Sequence, residues 1–337
     1  MQGIICKEPG RMAFQALPMP VPRPGEALLK VRRVGICGTD LHAFAGNQPY
    51  FSYPRVLGHE LAAEAISIEG EFPGLQAGDA VAVIPYRHCG QCSACRRGFT
   101  NCCENLRVFG VHEDGGMRQY FTYPASLLLK EEGLSFDELA LLEPLAIGAH
   151  AVRRAGVKAE DIVLAIGAGP IGIAVMKTAQ STGATVLAMD INSFRLNFCR
   201  NSMDIPHTIM AGYQAKEQIL DITGGNLPTV VFDATGNKNA LENGVSFLAH
   251  GGRYVLVGLS KGSLTFNHPA IHAKETTLFC SRNATPADFS RAAGLLRSGA
   301  FPSGAYITLE APYEEIVTQM SEWRRPEAGL IKVMTNW

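Results

Sequence analysis

The sequence predicts a two-part α/β protein: a β-rich, barrel-like unit over about the first 145 residues, then a doubly wound parallel sheet with helices on both faces. Three observations carry that prediction. The chain has 337 residues, more than one ordinary core of about 150 residues accommodates, so two domains are expected. The first part is rich in Gly and Pro and its apolar runs are short. From about residue 150 onward, strand-like and helix-like runs alternate, which is the texture of βα units.

In chain order, Ala27–Val31, Leu61–Ile68 and Ala80–Ile84 read as short strands, separated by turn signals at Pro22–Gly25, Pro73-Gly74 and Gly78-Asp79. Residues 161–166 read as a buried strand and Pro170–Gln180 as a helix, with Pro allowed in its first turn and Gly183 placed to end it. Thr185–Met189 is the next strand and Ser193–Asn201 the next helix. The alternation continues through Thr229–Ala234 (strand), Asn239–Leu248 (helix) and Arg253–Val257 (strand). Thr277–Cys280, a helix around Pro286–Ser298 and a last strand, Leu330–Met334, complete the series.

Charge narrows the function. With 30 Lys+Arg against 31 Asp+Glu, the formal charge of −1 gives no electrostatic reason to expect nucleic acid or an anionic membrane as partner. Met1–Gly10 lacks the pattern of a signal peptide. The longest uncharged apolar run, Ile162–Met176, contains three glycines and is shorter than the ~20 residues of a membrane span. A cytoplasmic location is therefore expected. Five of the nine cysteines lie between Cys89 and Cys103; in a reducing compartment such clusters read as metal or redox sites rather than disulfides.

Gly167-Ala-Gly-Pro-Ile-Gly172 directly follows the strand at 161–166 and opens the helix Pro170–Gln180. In that context Gly167 permits the tight turn, Gly169 lets the backbone approach a pyrophosphate, and Gly172 lets helix and strand pack closely. Asp190 stands at the end of the next strand, where a carboxylate accepts from the ribose hydroxyls and repels a 2′-phosphate; NAD is expected over NADP. Arg195 reads either as an adenine-stacking residue or as a solvated helix residue.

Cys89, Cys92, Cys95 and either Cys102 or Cys103 have spacings that close around Zn²⁺, and four thiolates would leave no open position, so this site reads as structural. A second, scattered set consists of Cys37, His59, Glu60 and Glu143. Thiolate, imidazole and carboxylate together suit a zinc with an open position, although each residue alone also reads as an ordinary buried or surface group.

Taken in order, the stretches GICGTDLH, RVLGHE, CGQCSACRRGFTNCCE, LLEPLAIGAH and GAGPIG resemble the zinc-dependent medium-chain dehydrogenase family, which includes alcohol, sorbitol and threonine dehydrogenases. The resemblance implies a GroES-like catalytic domain from residues 1–147 and 285–337, with a structural zinc lobe at about 86–106, and a Rossmann domain at 148–284. It implies catalytic zinc on Cys37, His59 and Glu60, with Glu143 as occasional fourth ligand or relay partner, and it selects Cys103 as the fourth lobe ligand. It also implies a proton path through Thr39 and His42. Further cofactor contacts are implied from Pro170, Ile171, Thr235, Val257, Gly258, Leu259, Ser281, Arg282 and Asn283. A homodimer or homotetramer is implied as well.

Finer phrases at 46–54, 110–116 and 281–289 resemble the bacterial branch that oxidises C5 of hexonates, the L-galactonate and L-gulonate 5-dehydrogenases, including starvation-sensing proteins. Cys280 and Gln119 depart from common residues there. A sugar acid needs a partner for its carboxylate, with Arg282, Arg118, His88 and His112 as candidates; Asn47, Gln48, Tyr50 and Phe51 are candidates for the outer pocket. The alternatives are a neutral polyol or amino alcohol as substrate, a zinc-free reductase of the same fold, and a non-catalytic dinucleotide-binding regulator.

Overall fold

The computed structural model describes residues 1–48 and 51–337; of the expected pocket residues, Tyr50 lies outside them. The chain divides into two compact units, Met1–Glu143 with Ile307–Trp337, and Pro144–Tyr306. The second boundary therefore falls at 306/307 rather than near 285. The reason is the helix Pro286–Arg297: its buried Asp288 accepts hydrogen bonds from Arg153 Nε (2.7 Å) and pairs with His150 Nδ1 (2.9 Å). Those contacts bind the helix to the unit that the expected boundary would have cut it from.

In the first unit the long strand Glu26–Ile36 is the organiser. It pairs antiparallel with Glu60–Ile68, Tyr120–Pro124 and the C-terminal strand Lys332–Asn336. Ile307–Pro312 adds to the last of these in parallel, and Ala80–Val83 extends the other side. The register pairs Gly35 with Glu60 and Ile36 with Val333. Three strand ends are thereby brought side by side: the one running into Cys37, the one opening at Glu60 and the one opening at Lys332. Gly35 has no side chain because a Cβ there would lie 2.2 Å from Glu60 Oε2. The expected C-terminal strand is shifted by two residues, to Lys332–Asn336.

The second unit carries a six-stranded, all-parallel sheet. Across the sheet the strands run His207–Met210, Thr185–Asp190, Ile162–Ile166, Val230–Asp233, Arg253–Leu256 and Thr277–Cys280. Numbered within the unit this is the order 3-2-1-4-5-6 of the Rossmann fold, with its switch point between Ile162–Ile166 and Val230–Asp233. Leu164, Ile166, Leu187, Met189, Ile209, Val231 and Tyr254 form its buried core. The expected helix Asn239–Leu248 is shorter, Lys238–Asn243, and is followed by a 3-10 turn.

One long element was not anticipated: the helix Phe136–Ala155, with Pro144 inside it. An internal proline normally argues against a helix, yet here the helix continues through it and across the division between the units. Among the described residues, no helix is long and apolar enough to cross a membrane.

Candidate active site

Cys37 immediately precedes the short helix Gly38–Phe44. Asp40, in the first turn, accepts from the Cys37 amide at 3.0 Å and from the Gly58 amide at 3.1 Å. This single buried carboxylate ties together the two segments that present Cys37 and His59. Its Oδ1 also lies 3.7 Å from His59 Nδ1. Cys37, His59 and Glu60 each offer one atom to a group within 4.8 Å of one another. His59 and Glu60 are buried, while Cys37 is partly open.

Glu60 is not isolated: Lys332 Nζ reaches both of its oxygens, at 2.7 and 2.6 Å, with both side chains buried. Glu143 is buried too, and receives a hydrogen bond from the hydroxyl of Tyr86. Burial, and then the charge of Glu60, push the Glu143 carboxyl up to about 7. Burial alone would push His59 down, but Asp40, Cys37 and Glu143 outweigh it and raise the imidazole well above its usual range. The pocket is therefore electrostatically prepared for positive charge at His59, whose Nδ1 is buried without a hydrogen bond. A cation held by thiolate, imidazole and carboxylate fits that demand, and the donor set suits zinc.

Thr39 and His42 stand three residues apart on one face of the helix, Thr39 half-buried and His42 exposed.

The four-cysteine lobe is local. Cys89, Cys92, Cys95 and Cys103 converge within 4.8 Å, and Cys102 is exposed. A two-stranded stem, Tyr86–Arg87 against Arg107–Val108, closes the loop. Backbone N–H groups point at sulfur: Cys95 to Cys92 Sγ (3.5 Å), and Cys89 and Asn105 to Cys103 Sγ (both 3.3 Å). Such donors, those of Gln91 and Cys92 foremost, lower the Cys89 thiol to about 6, whereas burial lifts Cys95 to about 12. Four sulfurs at this spacing fit a tetrahedral zinc and leave no open position.

In the second unit, Gly167 adopts φ +97°, and a Cβ on Gly172 would lie 1.7 Å from the Gly167 carbonyl oxygen; neither position admits another residue. Gly169 caps the helix Pro170–Gln180, leaving Ile171 and its neighbours as free N–H donors at a positive helix end. Asp190 accepts from the amides of Ala168 (2.7 Å) and Asn192 (2.8 Å). Arg195 lies 3.9 Å from the same carboxylate. Thr235, Val257–Leu259 and Ser281–Asn283 follow directly on three parallel strands, at the carboxyl edge where this fold binds ligands. Leu259 and Arg282 are exposed there, and Ser281 Oγ is buried without a hydrogen bond.

Within the first unit, three candidates for a substrate carboxylate have other partners. Arg118 lies over the rings of Phe109 and Phe121, His112 Nδ1 accepts from the Val108 amide, and His88 sits beside the lobe stem with Nδ1 3.4 Å from the Tyr86 carbonyl. Gln119 accepts from the Gln2 amide. Sequence reasoning missed Asp40, Tyr86 and Lys332. Asp40 had a signal, an acid three residues into a helix that follows Cys37. Tyr86 and Lys332 had none, since they lie 57 and 272 residues from the glutamates they hold.

Comparison with known proteins identifies the family and the fold. Residues 23–133 match the family model for the alcohol dehydrogenase GroES-like domain, and residues 170–298 that for zinc-binding dehydrogenases. L-galactonate-5-dehydrogenase of Escherichia coli (strain K12) is 43% identical over 313 residues, covering 93% of this chain and 92% of that protein. The NADH complex of an alcohol dehydrogenase (rspB) from E. coli CFT073 superposes with TM-score 0.93 at 28% identity, over 100% of this chain and 99% of that one. A zinc-binding dehydrogenase of Sinorhizobium meliloti 1021 bound to NADP gives 0.89 at 25% identity, over 100% and 99%.

Proposed function

The chain belongs to the zinc-binding medium-chain alcohol dehydrogenase family, an oxidoreductase of CH–OH groups, and from that premise we propose that it oxidises a secondary hydroxyl of a hexonate, at C5 of L-galactonate or L-gulonate, with NAD as hydride acceptor. The observation that carries the reading is the convergence of Cys37, His59 and Glu60 on one point, with Asp40 and Lys332 fixing them from behind. The likeness to L-galactonate-5-dehydrogenase supports the substrate class.

In this reading Cys37, His59 and Glu60 would hold a zinc that would supply Lewis-acid activation of the hydroxyl, with a nicotinamide cofactor as the hydride acceptor. The chain's own residues do the rest. Lys332 offsets the charge of Glu60, so the two anionic ligands would not fully neutralise a metal held there. Thr39 takes the hydroxyl proton and His42, exposed, passes it to solvent. Asp190, buried at its strand end, takes the ribose hydroxyls; its negative charge supports NAD over NADP. A second zinc at Cys89, Cys92, Cys95 and Cys103 would be structural. The edge strand Thr277–Cys280, with Leu278 46% exposed, supports assembly into a dimer or tetramer. Nine unpaired thiols suit a reducing cytoplasm.

The test is NADH formation from L-galactonate, L-gulonate, L-idonate, D-mannonate, sorbitol and threonine. Turnover of a hexonate well above the neutral compounds is expected. Turnover confined to neutral polyols or to threonine would overturn the sugar-acid assignment.

A further inference from the structure

Two buried glutamates bear on His59, Glu60 from within the Cys37 group and Glu143 from beside it, and the fold holds them by different means. Glu60 is gripped through both oxygens by the cation of Lys332. Glu143 is gripped through one oxygen, Oε1, by the neutral phenol of Tyr86. Tyr86 is itself 4% exposed and Glu143 5%, so water does not compete for this bond. Tyr86 is fixed by the backbone around it: it pairs with Val108 in the stem of the cysteine lobe, three residues before Cys89.

A carboxylate beside a metal has two ways to act. Free to turn, it closes on the metal with its own oxygens and fills the position that substrate needs. Pinned by a hydrogen bond, it is held in one orientation and cannot turn to close. A phenol achieves this without cancelling the carboxylate's charge, which a lysine would do. We propose that Tyr86 is a positioning residue for Glu143: its hydroxyl holds Oε1 and fixes the turn of the carboxylate, so that Glu143 stays beside the Cys37, His59 and Glu60 group without closing on it and the open position stays open. The cysteine lobe then has a second role, because its stem carries the residue that orients Glu143. This rests on the placement of the metal at Cys37, His59 and Glu60 argued above, and not on the identity of the substrate.

The test is Tyr86→Phe in the full-length enzyme, with Co²⁺ exchanged into the catalytic site as a spectroscopic probe. The variant keeps the ring and loses only the hydroxyl. It is expected to hold its full metal content, to shift the visible Co²⁺ bands, and to lose roughly tenfold or more in kcat with KM for NAD unchanged. Glu143→Gln should shift the same bands, and combining it with Tyr86→Phe should add nothing to the loss in either single variant, since the two act as one unit. A Tyr86→Phe enzyme with wild-type kcat and an unchanged Co²⁺ spectrum would overturn the proposal. So would a loss of activity that disappears on reloading zinc, because it would reflect metal retention and not orientation. The Co²⁺ spectrum requires no substrate, so it decides the matter even if the hexonate assignment fails.

Discussion

The cysteine lobe takes all its sulfurs from the single segment Cys89–Cys103, whereas the Cys37 cluster and the lysine that backs it draw on the ends of three strands. The lobe needs little from the rest of the molecule: a two-stranded stem, a few N–H···S bonds and turns. The cluster needs nearly all of the N-terminal unit, since the residues holding it in place are as distant as Lys332. On the proposed assignment a closed all-thiol site built locally keeps its loop folded, and with it the stem that carries Tyr86. A mixed site, with each ligand backed by a buried partner, holds an exchangeable position against deformation. On the proposed assignment the difference would separate a metal that makes structure from one that makes chemistry.

The largest expected effect breaks the comparison on the chemical side. Cys37→Ser should lower turnover roughly 10³-fold or more and lose one metal per chain, yet leave the circular dichroism and melting temperature close to wild type. Wild-type turnover in that variant would remove the cluster from the mechanism. Cys92→Ser should do the converse. It is expected to lower the melting temperature and expose residues 86–106 to protease, and a variant as stable and resistant as wild type would mean the lobe holds no structural metal.

Lys332→Met should cost about 3–5 kcal/mol, because Glu60 is left buried and unpaired. Urea titration should find the cost greater in metal-stripped protein, where no cation replaces the lysine; an equal cost in both forms would argue against metal at Glu60. The smallest effect is Asp40→Asn, expected to weaken zinc binding at the cluster by about 10–100-fold. It also changes a pH dependence. In the metal-free protein His59 titrates above its usual value, so its protonated form stabilises the fold at low pH, and that contribution is lost as pH rises through the folded value. Zinc needs the neutral ring, so affinity should fall as pH drops below that raised value. Asp40→Asn should move the fall to lower pH, and competition with a chelating dye across the pH range would show whether it does.

The legibility of the two sites in the sequence follows the same contrast. The cysteine lobe and the Gly167–Gly172 turn are local, so spacing along the chain nearly is their geometry. The parallel sheet was readable because each strand and helix announces itself within about ten residues. The Cys37 cluster was not readable by spacing. Only its resemblance to a known family joined Cys37, His59, Glu60 and Glu143, because the joining is done by the register of Gly35 on Glu60 and Ile36 on Val333. Lys332 and Tyr86 stayed invisible for that reason. The boundary at 306/307 departs from the expected one near 285 because tertiary contacts, such as Asp288 with Arg153, outweigh the local signals, and the helix through Pro144 was not anticipated.

The most direct measurement is stepwise removal of metal by a chelator, with zinc content, turnover and circular dichroism followed in the same sample. Two zinc ions per chain are predicted at the start. The first to leave should take all of the activity and none of the folded signal, and the second should leave only as the lobe unfolds. Activity that survives loss of the first zinc, with the fold intact, would contradict the assignment of the chemistry to Cys37, His59 and Glu60.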